Sequence, residues 1–387
     1  MRIYLDHNAT TPAAAPVVEA VARAMRDLVG NASSVHAFGQ QAKTALDQAR
    51  QAVAALVGGD PAEVIFTAGG TEGDNLALRG VAEALEPTGR RTIIVSEIEH
   101  EAVLNTARAL QRRGWTVVRL EPDREGLVSP DALRAVITPE TALVSVMHAN
   151  NEVGTIQPVA RLAAVAHEHG ALMHTDAVQS AGKVPIAVRD LGVDLLTISG
   201  HKFYGPKGTG ALWVRRGARL VPQMTGGRQE RNRRAGTENV PALVGLGVAA
   251  ELAREAPAQA GGALAALRDR LEAGVLARVP HTAVNGARDR RVPNTTNISF
   301  DRVEAESLLI ALDLEGIAVS TGSACSSGTL EPSHVLKAMG LGSGRAQSSL
   351  RFSLGAGNTE AEIDRVIDVL PGITEKLRSL TRSRVGV

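Results

Sequence analysis

Between about residues 60 and 215, short apolar runs alternate with longer stretches of helical spacing. The runs Val64–Thr67, Thr92–Ser96, Thr116–Leu120, Ala142–Met147, Ala171–Thr175, Asp194–Ser199 and Gly210–Val214 predict strands. Several are apolar throughout rather than alternating, as in strands covered on both faces. Helices are predicted between them, at Asn75–Leu85, Glu101–Arg112 and Val159–His169, and ahead of them, at Ala13–Leu28 and Gln40–Leu56. The order is a βαβ series, so the expected architecture is α/β with a mostly parallel sheet.

After residue 215 the pattern changes. A basic, glycine-rich stretch, Thr225–Gly236, leads into an Ala/Leu-rich helical region over 241–278. Shorter strands follow at Asn297–Phe300, Ile317–Ser320 and Ser349–Ser353, with helices at Glu304–Leu314 and Ala361–Leu380. Thr359 and Glu362 are spaced as a capping box for the last helix. A second, α+β lobe from about residue 251 is the natural reading, and no internal repeat is visible.

Composition narrows the function. Hydrophobic residues make up 44% of the 387, enough for a sizeable core. The 42 Lys and Arg against 41 Asp and Glu leave no excess positive field for nucleic acid or an anionic membrane. Five Phe, two Trp and two Tyr are too few for a base-stacking platform. No charge-free apolar run approaches the ~18 residues of a membrane span, and the N-terminal segment lacks a signal-peptide core, so a cytoplasmic location is expected. Cys325 is the single cysteine, which excludes an intramolecular disulfide and a thiolate cluster. Only six of the 42 basic side chains are Lys: 43, 183, 202, 207, 337 and 376. Arginine covers surface solvation here, so a lysine in a suggestive context points to amine chemistry.

Three apparent motifs fail on inspection. Gly200–Lys207 resembles a P-loop, but Pro206 stands where Lys is needed and no Ser or Thr follows Lys207. No G-x-G-x-x-G follows a first strand. His167 and His169, two apart, fall on different helix faces and suit a helix C-terminus better than a metal.

The positive signals sit at strand ends. Asp176 follows one predicted strand and Lys202 another, where open α/β sheets place ligands. An acid and an amine so placed suit pyridoxal phosphate, with Lys202 as covalent anchor and Asp176 facing the ring nitrogen. Gly69-Gly70-Thr71 passes from strand to helix, where free amides favour a phosphate. Thr71 and Asp74 are spaced as a capping box.

Ten segments extend the case: Tyr4–Pro12, Asn31–His36, Gly69–Asn75, Glu99–Val103, His148–Gly154, Asp176–Gln179, Ser199–Gly208, Arg234–Asn239, Gly322–Gly328 and Arg351–Gly355. Together they resemble the cysteine desulfurases of the class V aminotransferase family, enzymes of the pyridoxal-phosphate-dependent fold type I. The resemblance implies a large domain over 12–250 and a small one built from 1–11 and 251–387. It implies that Lys202 forms the Schiff base, Asp176 pairs with the ring nitrogen, Gln179 serves the ring 3-hydroxyl and His100 stacks on the ring. Gly70, Thr71, Ser199 and His201 would hold the phosphate, joined by Thr237 across a homodimer. Arg351 with Asn151 would grip the carboxylate of L-cysteine, and Cys325 would be the nucleophile that accepts sulfur as a persulfide. The only metal role implied is transient ligation of an iron–sulfur cluster by Cys325.

The length from Cys325 to Arg351 resembles the long-loop, iron–sulfur-type branch, which implies sulfur-acceptor proteins such as an iron–sulfur scaffold, with tRNA thiolation and cofactor synthesis as the other acceptor routes. The Gly/Ser-rich neighbours of Cys325 predict a mobile segment, with helix resuming at Pro332–Ser333. Arg228, Thr225 and Gly73 depart from the family pattern without touching the proposed chemistry. Three alternatives stand beside this reading: an aminotransferase of the same fold, a selenocysteine lyase, and a scaffold that has lost catalysis.

Overall fold

A computed structural model describes residues 2–255, 257–322 and 332–385. Its strands are β1 (Ile3–Tyr4), β2 (Val64–Thr67), β3 (Thr92–Ser96), β4 (Thr116–Leu120), β5 (Thr141–Ser145), β6 (Leu172–Asp176), β7 (Leu195–Ser199), β8 (Gly210–Val214), β9 (Thr282–Asn285), β10 (Thr295–Phe300), β11 (Ile317–Ala318) and β12 (Ser349–Ser353). Seven of them form one sheet in the order β2-β8-β7-β6-β5-β3-β4. The expected parallel arrangement holds from β7 through β4, whereas β8 runs antiparallel to both β2 and β7.

Strand periodicity sends alternate side chains to opposite faces. Val64 and Phe66 join one core with Leu196 and Ile198, against the helices α1 (Ala15–Asp27), α2 (Ala37–Val57) and Val240–Glu255. Ile65 and Leu195 join the other core, against α3 (Gly70–Leu85) and α4 (Glu101–Gln111). Burial on both faces is why these strands read as continuous apolar runs.

A third core gathers Ile3 and Leu5 with Leu271, Phe300, Phe352 and Ile363. It lies on the antiparallel sheet β12-β10-β9, and β1 pairs in parallel with β11, Ile3 opposite Ile317. The N-terminal strand thus packs with the C-terminal part of the chain. From there the backbone crosses to the large sheet: His7 N–H bonds Ser353 O at 3.1 Å and Thr11 N–H bonds His201 O at 2.9 Å.

The helical region expected over 241–278 is α-helix over Val240–Glu255 and Pro257–Arg278. One expectation is corrected. Helix α3 starts at Gly70, not Asn75, and its cap is Gly69 with φ 150°, so Thr71 and Asp74 form no capping box. Glu72 Oε2 instead accepts the Ala68 N–H at 2.8 Å, and Asp74 is buried beneath the helix. The box at the last helix does form: Thr359 N–H to Glu362 Oε2, 2.9 Å, and Glu362 N–H to Thr359 Oγ1, 3.3 Å.

Among the described residues no helix is long and apolar enough to cross a membrane.

Candidate active site

The carboxyl ends of β2, β3, β6 and β7 lie along one edge of the large sheet. Thr67 is level with Gly210, which is level with Ser199, and Asp176 is level with Thr197. Just past β2, α3 begins with amides that have no intrahelical acceptor, under the positive end of its dipole. A Cβ on Gly70 would come within 2.8 Å of Val178 Cγ2 and 3.7 Å of Ser199 Cβ. Backbone rather than side chain therefore faces this corner, beside the hydroxyl of the buried Ser199.

Lys202 lies on the short 3-10 turn Gly200–Lys202 after β7. Its Nζ donates to Asn8 O at 2.6 Å and Ala9 O at 2.8 Å. Asp176 closes β6, buried, and accepts from Val178 N–H at 2.8 Å. Burial raises its carboxyl above the usual range, opposed by His100, the Val178 amide and Lys202. His100 caps α4, its Nδ1 accepting from Ala102 N–H at 3.1 Å. Burial, reinforced by Lys202 and opposed by Asp176, lowers its pKa. The imidazole is thus neutral at pH 7, and with Nδ1 occupied as an acceptor its proton sits on Nε2. Asp176, His100 and Lys202, expected together, do meet here.

Gln179 follows in the turn after β6 and donates through Nε2 to Asn8 O at 2.9 Å. His201 Nδ1 is 3.1 Å from Thr10 Oγ1, and burial with nearby Lys202 and Lys207 lowers its pKa to about 4. Any anion beside it would meet a neutral ring, not a cation. Thr71 is exposed at the second position of α3.

Arg351, on β12, is buried. Its Nη1 donates to Asn151 O at 3.0 Å and its Nη2 to Asp6 Oδ1 at 2.6 Å. Its Nε is buried with no hydrogen-bond partner among the described residues. Asn151 therefore meets Arg351 through its backbone carbonyl.

Thr237 is exposed on the segment between Arg234 and Val240. That segment is fastened to α3, Arg234 Nε to Glu72 Oε1 at 2.8 Å. In the basic stretch before it, Glu230 buries against Arg50 of α2 in a two-point pair, 2.7 Å each, and accepts Phe66 N–H. Cys325 and its neighbours 323–331 lie outside the described residues, as does the expectation of their mobility. The helix after them is His334–Ala338, capped by Ser333.

His167 Nε2 lies 2.8 Å from Asp194 Oδ2, an ordinary hydrogen-bond geometry. Among the described residues no group of three or more His, Cys, Asp or Glu could hold a metal.

Sequence reasoning missed several residues near the site. Asn8 lies at its centre, inside the quoted Tyr4–Pro12 segment but without a role. Asp74 and Glu99 are buried carboxyls behind Asp176. Glu99 Oε1 accepts from Ser96 Oγ and from Met147 N–H, while Oε2 has no partner among the described residues. Burial carries the Glu99 pKa from 4.5 to about 8, against the pull of both hydrogen bonds. Between these values the folded protein keeps a proton that the unfolded chain has lost. The contribution is complete below pH 4.5 and is lost as pH rises through about 8. Glu99→Gln should therefore flatten the fall in stability across that window, by up to about 1.4 kcal/mol per pH unit. Urea midpoints taken at several pH values check this; parallel curves for the two proteins would contradict it.

Comparison with known proteins gives one answer. The family model for class-V aminotransferases matches residues 3–366. A cysteine desulfurase of Nostoc sp. is 51% identical over 98% of this chain and 94% of its own. The cysteine desulfurase IscS of Dictyoglomus turgidum is 48% identical over 98% of this chain and 96% of its own. Among solved structures, a NifS-like protein superposes with a TM-score of 0.92 at 38% identity, covering 97% of this chain and all of that one. SspA in complex with cysteine gives a TM-score of 0.81 at 37% identity, over 92% of this chain and 99% of that one.

Proposed function

Because this chain belongs to the class-V aminotransferase family, among its cysteine desulfurases, we propose that its sheet-edge site removes sulfur from L-cysteine with pyridoxal phosphate held on Lys202. The observation that carries this is the meeting of the Lys202 amine, the Asp176 carboxylate and the His100 imidazole at one edge, with buried Arg351 joined to them through Asn8.

The donor set fits the cofactor. Asp176 is a carboxyl whose pKa burial raises, and a protonated ring nitrogen beside it would favour the carboxylate. The α3 amides at Gly70 and Thr71, with Ser199 and neutral His201, offer a phosphate donors in a corner where backbone faces the space. Lys202 would anchor the cofactor, Gln179 would donate to its 3-oxygen and His100 would cover its face. When bound, pyridoxal phosphate supplies an electron sink for the substrate's α-carbon.

The chain's own residues do the rest. Arg351 would hold the substrate carboxylate, a group that a guanidinium grips better than an ammonium would. Lys202 would move the α-proton, and His100 would hold a proton at Nε2 for the substrate sulfur side. In the overall balance the Cys325 thiolate takes a neutral sulfur atom, becoming a persulfide. The Cβ–S bond breaks, its electron pair stays on the carbon and is protonated there, and alanine leaves.

The working form is proposed to be a homodimer in which exposed Thr237 reaches the partner's phosphate site. The relatives bearing the IscS name and the length of chain from Cys325 to Arg351 support an iron–sulfur scaffold as acceptor.

The test uses the purified holoprotein. It should sediment at twice the chain mass and, with a reducing thiol, yield alanine and sulfide from L-cysteine in equal amounts. Alanine without sulfide, or an active monomer, would contradict the reading.

A further inference from the structure

Lys183 is an enclosed lysine near the site that the proposed chemistry leaves unused; Lys207, beside His201, is exposed. Lys183 follows Gln179 by four residues in the turn beyond β6 and is mostly enclosed. Its Nζ donates to Gln179 Oε1 at 2.7 Å and to Asn8 Oδ1 at 2.9 Å. Loss of water around the amine, with the charges of Lys202 and Arg351, pushes its pKa well below the ordinary lysine range. His7 also feels this amine. Two acceptors thus take N–H bonds of this amine.

An amine donor dictates which end of an amide faces it. Gln179 must turn its oxygen to Lys183, which sends Nε2 to Asn8 O and leaves its second N–H for a ligand. Asn8 must likewise turn Oδ1 towards Lys183, where Asn294 Nδ2 also donates at 3.1 Å. Its Nδ2 then donates to Thr295 Oγ1 at 2.9 Å and to Asn151 O at 3.1 Å. Asn151 O is the same carbonyl that receives Arg351 Nη1, and Asn8 O is the same carbonyl that receives Lys202 Nζ.

We propose that Lys183 is a positioning residue that fixes the amide orientations of Gln179 and Asn8, and through Asn8 ties the Lys202 side of the site to the Arg351 side. The inference rests on the function proposed above. Without this amine the Gln179 side chain is free to flip its donor away from the cofactor, and Asn8 loses the contact that sets Asn151 against Arg351.

The experiment compares holoproteins of wild type, Lys183→Met and Asn8→Ala. Two quantities are read: the pH midpoint of the visible cofactor band, and KM for cysteine separately from kcat. Lys183→Met should move the midpoint by about one unit and raise KM about tenfold. Asn8→Ala, which cuts the Arg351 branch but keeps the contact with Gln179, should raise KM similarly with a smaller midpoint shift. A folded Lys183→Met protein with lowered thermal stability but unchanged midpoint and KM would overturn the proposal. If that variant does not fold, an unchanged KM in Asn8→Ala overturns it instead. A wild-type protein lacking any visible band would fail the cofactor reading itself, a result distinct from either.

Discussion

Lys202→Ala should lower the release of alanine and sulfide by at least roughly 10²–10⁴-fold, the range expected when a positioned proton-transfer group is removed, and more where covalent anchoring is lost as well. The same change has a structural cost. Lys202 Nζ donates to Asn8 O and Ala9 O; Asn8 O keeps Gln179 Nε2 as a donor, but Ala9 O loses this one, and an enclosed acceptor left without a donor costs about 1–3 kcal/mol. Lys202→Arg separates the two effects. Its guanidinium still offers donors to those carbonyls but has no nucleophilic amine, so it should recover stability and not turnover. Borohydride reduction of the wild type, followed by peptide mapping, should place the pyridoxyl group on residue 202. A Lys202→Ala protein within tenfold of wild-type activity, or a label on Lys183 or Lys207, would remove Lys202 from the anchoring role.

Much of this arrangement is legible in the sequence. The runs Thr92–Ser96, Thr116–Leu120, Gly210–Val214 and Ser349–Ser353 coincide with β3, β4, β8 and β12, because the first three are largely apolar or β-branched and the last alternates polar with apolar residues. Asp176, Lys202 and His100 could be placed because each sits at the end of such a run or just beyond it. What the sequence hides depends on contacts between distant residues. Nothing local marks Asn8 as the junction of Lys183, Lys202, Gln179 and Asn151, since its partners lie more than 140 residues away. The start of α3 was misread for a related reason: Thr71 and Asp74 have capping-box spacing, but the conformation of Gly69 and the burial of Asp74 decide the geometry. The Glu230–Arg50 pair, 180 residues apart, likewise makes an acid inside an arginine-rich stretch a core residue. Sequence pattern reports local preference, and these positions are set by tertiary neighbours.

The second large effect is expected at Cys325. Attack on a substrate sulfur needs a thiolate, and serine's hydroxyl is far less acidic and cannot carry a persulfide. Cys325→Ser should still bind L-cysteine, because Arg351 and Lys202 are untouched, so the visible band should change on mixing much as in wild type. Sulfide and alanine release should fall by about 10²-fold or more. The most direct test of the account follows the sulfur atom itself. Wild-type holoprotein is given one equivalent of isotopically labelled L-cysteine without reducing thiol, and its peptides are weighed. The account predicts one labelled sulfur added to the peptide containing Cys325, alanine formed in equal amount, and neither product from Cys325→Ser. Labelled sulfide released with no mass added at Cys325, or undiminished alanine from the serine variant, would contradict it.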